Sequence, residues 1–167
     1  MSTEVFVTPP VLDSRKIREE HIKHEASVRS IGTLYIFGAG LTVFVTLPFL
    51  LRGHWDFLAD TYLLTIGAVL WLIGKGLRAL NTRARTWATI ISAIGLVAVP
   101  IGTLINAYFL YLLHSKKGAM VFSPKYKAVI EATPDIECKT SKVLIFLAVL
   151  LVALAFWLFV AGVLKRL

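Results

Sequence analysis

Residues 86–113, TWATIISAIGLVAVPIGTLINAYFLYLL, run for 28 positions without a charge. A helix needs roughly 20 apolar residues to cross a bilayer core, and this stretch exceeds that. Ala88, Ser92, Gly95, Ala98, Gly102 and Asn106 recur at steps of three or four, so a continuous helix gathers them on one face. Small residues on one face let helices approach closely in lipid. The spacing predicts the central, best-packed helix of a membrane bundle. Pro100 sits near its middle, removes a backbone donor and crowds the preceding turn, so we expect a kink there.

Working outward, three further apolar runs reach spanning length: residues 30–51, 61–80 and 143–164. The run at 61–80 is the shortest without interruption. Its start can reach back to Phe57, and Lys75 and Arg78 can snorkel at its end. It reads as a crossing, with a re-entrant hairpin as the alternative. The whole chain has 167 residues, 57% hydrophobic and 17% charged, against about 25% charged in a typical soluble domain. Its mean hydropathy is +0.75. The expected fold is an all-α, integral membrane four-helix bundle over residues 30–167, with residues 1–29 forming an N-terminal tail and polar helix.

The polar segments carry their own patterns. Residues 14–29 contain four opposite-charge (i, i+4) pairs, Arg15–Glu19, Lys16–Glu20, Glu19–Lys23 and Glu25–Arg29, which support a helix. No Gly or Pro intervenes before Gly32, so this helix is expected to run into the first span as a cytoplasmic extension. Its charged surface reads either as a solvated face or as a docking surface. Residues 115–142 form the longest segment between spans. Within it Ser123 is placed to cap a helix that starts at Pro124. Tyr126, Val129, Ile130 and Thr133 then share one face, and Pro134 ends the run. We expect a short amphipathic helix lying on the membrane surface.

The net charge is +8, and no Asp or Glu occurs between Asp60 and Glu131. Arg78, Arg83, Arg85, Lys116, Lys117, Lys125 and Lys127 fall in that window, together with Lys75. Such cations favour anionic headgroups or an acidic partner. They form no nucleic-acid motif, so no nucleic-acid partner is expected. Positive residues gather on the cytoplasmic side. Four crossings put eleven Lys/Arg on the side of both termini and seven on the other, with residues 115–142 outside. A re-entrant second run gives the same eleven-to-seven ratio with residues 115–142 inside, so the N-terminus is cytoplasmic either way.

Nothing in the chain spells out catalysis. Cys138 is the only cysteine, which excludes an internal disulfide and a cysteine metal cluster. His21 and His24 at (i, i+3) are two potential ligands where a metal site needs three or four. No phosphate-binding loop or nucleophile elbow is present. No charged residue lies well inside a span, which argues against pumps and ion-coupled transporters. Asn106 beside Pro100 reads as an interhelical hydrogen bond or as part of a solute path. We therefore expect no enzyme, no cofactor and no metal.

Two stretches, HIKHEASVRSIGTLY at 21–35 and SKKGAMVFSPKYKAVIEATPDIECKTSK at 115–142, resemble small polytopic membrane proteins of bacterial genomes that have no assigned activity. The resemblance implies a bacterial inner-membrane protein and carries no site residue with it. The functional expectation is a non-catalytic accessory or scaffold subunit of a larger membrane complex, or a self-associating one. The alternatives are a homo-oligomeric channel or carrier for a neutral or anionic solute, and a protein that organises anionic lipids.

Overall fold

A computed structural model describes residues 11–51, 57–97 and 100–136, with Phe146 and Leu150 as isolated helical positions. The expected span at 143–164, Cys138 and Ala98 lie outside the described residues, those two positions apart. All six elements described are α-helices. In chain order they are α1 (Val11–Leu51), α2 (Phe57–Arg78), α3 (Thr82–Gly95), α4 (Ile101–His114), α5 (Lys116–Val121) and α6 (Pro124–Ala132).

α1 is 41 residues long, about 60 Å at 1.5 Å per residue. The polar and apolar segments are one rod, as the absence of Gly and Pro before Gly32 predicts. α2 has 22 residues and starts at Phe57, which turns the marginal second run into one of full spanning length. Both helices are long and apolar enough to cross a membrane.

α1 and α2 run antiparallel and touch through glycine. A Cβ added at Gly32 would stand 2.7 Å from the Gly74 carbonyl oxygen, and one at Gly74 would stand 2.6 Å from the Gly32 oxygen. Seven residues along, Gly67 packs on Ala39 and Thr42. Among the described residues, a small-residue seam with backbone in contact with backbone therefore lies between α1 and α2.

That stretch is two helices. α3 ends at Gly95, α4 starts at Ile101, and Pro100 is the residue before the first turn of α4. The chain reverses between them. Thr103 Oγ1 donates to the Leu96 carbonyl at 2.7 Å, Gly95 packs against Asn106, and Thr89 Oγ1 lies 3.2 Å from His114 Nε2. The expected single crossing with a kink at Pro100 is thus replaced by a hairpin of two 14-residue helices. Proline cannot continue a helical ladder from the residues before it, and Gly95 admits the close approach of Asn106. Both ends of the stretch come to the end of the molecule where α1 begins.

α2 passes into α3 through a tight cap. Leu80 takes φ 51°, Asn81 N–H donates to the Gly76 carbonyl at 2.8 Å and Leu80 N–H to Leu77 at 3.0 Å. These bonds make a Schellman closure, with leucine at the position glycine usually fills. Asn81 then caps α3, its side chain accepting from Arg83 N–H at 2.9 Å.

The core sits off-centre. It joins Val28, Ile31, Leu34 and Tyr35 of α1 with Ile73 and Leu77 of α2, Ala88 of α3, Phe109 and Leu113 of α4, and Val121 and Tyr126 beyond. Past Ala39 on α1 and before Gly67 on α2, large apolar side chains such as Phe44, Leu51, Leu58 and Tyr62 are exposed among the described residues. The described shape is a six-helix head with a two-helix stalk.

Candidate functional site

The two polar segments meet. Residues 14–29 of α1 are clasped by the end of α4, by α5 and by α6, so the stretches that carry the resemblance pack on each other. α6 forms as its sequence predicts. Ser123 accepts from Tyr126 N–H at 3.2 Å, and Pro124 is the first helical residue. Its apolar face, however, covers α1 and is not left for a membrane surface: Tyr126 and Val129 are fully buried. The charged face of α1 is likewise not wholly solvated.

Glu25 is the centre of the clasp and is completely buried. Tyr126 donates its hydroxyl to Glu25 Oε2 at 2.9 Å. Arg29 Nη2 lies 2.9 Å from Oε1, and Arg18 Nε 3.7 Å from Oε2. The first two contacts are close. Arg18 Nε, Arg29 Nε and Glu25 Oε1 nonetheless lack an aligned hydrogen bond among the described residues. A carboxylate taken out of water is tolerable only with such partners. Arg18 reaches further, donating through Nη1 to the carbonyls of Ile130 (3.1 Å) and Thr133 and to Thr133 Oγ1 (3.0 Å). A cation on the last carbonyls of a helix completes its unpaired end and suits its dipole. Arg15 pairs with Asp135 at the rim.

The histidines serve packing individually. His21 donates through Nδ1 to the Ile17 carbonyl at 2.9 Å, and its ring lies 5.9 Å from that of Tyr126. His24 donates from Nε2 to the Leu112 carbonyl at 2.7 Å, with Ser115 Oγ 3.2 Å away. Desolvation holds His24 below its ordinary 6.5; the Leu112 bond opposes this, and His21 and Lys117 add to it.

The expected packing face divides in two. Ala88 and Ser92 are fully buried toward α1, with Ser92 Oγ 3.5 Å from the Tyr35 hydroxyl. Gly95 and Asn106 pack across the hairpin instead. The Asn106 amide donates to the Gly102 carbonyl of its own helix at 2.7 Å, and its side chain is half-buried against Gly95 of α3.

The cations gather at the head. Arg78, Arg83, Lys116, Lys117, Lys125 and Lys127 are exposed there, and none makes an ion pair among the described residues. Arg78 runs beside Gly32. Arg85 is half-buried, its guanidinium 5.5 Å from the centre of the Phe122 ring, so it acts as a packing residue. Lys75 lies 4.6 Å over Trp71. All thirteen described Lys/Arg belong to this end.

Sequence reasoning did not single out Arg18, Glu25, Tyr126 and Thr133 as a group. The available signal was Glu25, a carboxylate on the face of α1 that also carries Val28 and Ile31. No family model, curated protein or solved structure matches the chain. Over the described residues, fold and site together define an all-helical protein with two helices of membrane-spanning length and a charged, internally braced head.

Proposed function

We propose that this chain is a bacterial inner-membrane protein that acts as a non-catalytic accessory or scaffold subunit. α1 and α2 cross the bilayer fully, while α3 and α4 enter from the cytoplasmic side and return. Each of these shorter helices measures about 21 Å along its axis, less than the roughly 30 Å of a hydrocarbon core. The hairpin changes the charge count. Residues 14–29, 75–85 and 115–142 now share one side, and with a last crossing at 143–164 that side holds fifteen of the eighteen Lys/Arg. Four full crossings leave eleven against seven. The positive-inside rule thus favours this topology and a cytoplasmic head.

The observation that carries the scaffold reading is the buried Glu25 cluster. It ties α1 to α6 beside exposed cations that make no ion pair among the described residues, a surface suited to presentation. Gentle detergent extraction followed by native mass spectrometry should recover the chain with a stoichiometric protein partner. Recovery only as a lone monomer overturns the reading.

The same exposed cations support a second reading, an organiser of anionic lipids. Charge reversal of Lys116, Lys117, Lys125 and Lys127 then abolishes enrichment of anionic lipid in the extracted particle. Unchanged enrichment removes it.

A further inference from the structure

We infer that this chain is a wedge that enlarges one leaflet of the bilayer and so favours membranes convex on the side of its basic head. The inference rests on the half-inserted hairpin proposed above and adds a mechanical activity to it.

The tip of the hairpin is built for hydrocarbon. Ile94, Val97 and Leu104 are exposed there, at 69%, 82% and 72%. The described residues on either side of the turn make several hydrogen bonds of their own. Leu96 and Val97 N–H donate to Ala93 and Ile94, Leu104 N–H to Pro100, and Thr103 and Asn106 side chains satisfy the carbonyls of Leu96 and Gly102. Each such bond lowers the cost of carrying non-helical backbone to membrane depth, where unpaired polar groups are expensive. At the other end of the hairpin, Trp87 and Tyr111 are exposed near the cations, as aromatic residues are at an interface.

Four described helices therefore occupy the leaflet next to the head, and two occupy the opposite one. A helix is about 10 Å across, so the hairpin adds about 160 Å² to one leaflet only. A full crossing at 143–164 adds equally to both and leaves the difference. Inserted area confined to one leaflet is accommodated best where that leaflet is stretched on the outside of a curve.

The test uses the purified full-length chain in vesicles of phosphatidylethanolamine and phosphatidylglycerol, prepared across a range of diameters. Protein per lipid is measured for each size, and external trypsin distinguishes heads facing out from heads facing in. Outward-facing molecules should be enriched several-fold in the smallest vesicles, and inward-facing ones depleted there. Equal density at all sizes, or the same trend for both orientations, overturns the wedge. A spin label on Val97→Cys in a Cys138→Ser background reads insertion depth separately. A label near the midplane with no size preference overturns the wedge and leaves the half-insertion standing. A label at the headgroup level overturns both.

Discussion

A methyl group at Gly32 would meet the Gly74 carbonyl oxygen at 2.7 Å, and that oxygen belongs to backbone that cannot swing aside. Gly32→Ala should therefore separate α1 from α2 and cost about 1–3 kcal/mol, as overpacking does. Unfolding in detergent measures it, and Gly40→Ala, with open space around it, is the matched control. Leu80 presents two opposed terms. Its left-handed backbone costs roughly 1–2 kcal/mol that glycine would relieve. Its side chain is buried to 2% exposure, and removing such a leucine costs about 2–5 kcal/mol. Burial wins, so Leu80→Gly should destabilise the chain despite the better backbone fit. A raised midpoint would reverse that ranking.

Among the elements, the clasp between α1 and α6 depends on few bonds. Tyr126→Phe removes the hydroxyl from a fully buried carboxylate, and a hydrogen bond to a charged group contributes about 1.5–3 kcal/mol. Faster amide exchange in α6, with α2 unchanged, is the expected outcome. His24 makes the neighbouring contact with α4 and α5 sensitive to acid. Its folded value lies below 6.5, so the unfolded chain binds the proton more readily. The contact is complete above about 6.5 and weakens as pH falls below it. His24→Gln should flatten that pH dependence. Much of this scale was legible in the sequence. The charge pairs and unbroken run of 14–51 announced α1, and the Ser123-Pro124 start announced α6. The hairpin was not legible, because hydropathy averages over a reversal that introduces no charge. Gly95, Pro100 and Gly102 marked it, but the same residues also fit a kink. The Glu25 cluster was hidden for another reason: the Glu25–Arg29 pair showed in the sequence, but Tyr126 lies 101 positions from Glu25, and periodicity reports only neighbours.

For the whole molecule, the decisive measurement is sidedness. In a Cys138→Ser background, Lys23→Cys and Lys117→Cys should both resist an impermeant thiol reagent on intact cells and react after permeabilisation. Ala59→Cys, exposed at the start of α2, should react on intact cells. Labelling of Lys117→Cys with Lys23→Cys protected would restore a full crossing by 86–113. The composition, 57% hydrophobic with sparse charge, pointed to membrane-spanning helices, and two of the described helices are long and apolar enough to cross. It was silent on the off-centre core, which follows from where the hairpin stops. The continuity of α1 also makes the molecule a lever. From Ser30 to Ser14 the rod extends about 24 Å past its apolar run, and transmembrane helices tilt to match bilayer thickness. Each ten degrees of tilt carries Ser14 about 4 Å sideways, and the clasped α6 travels with it. With α1 crossing the bilayer as proposed above, changes in lipid thickness around the stalk become displacements of the charged head.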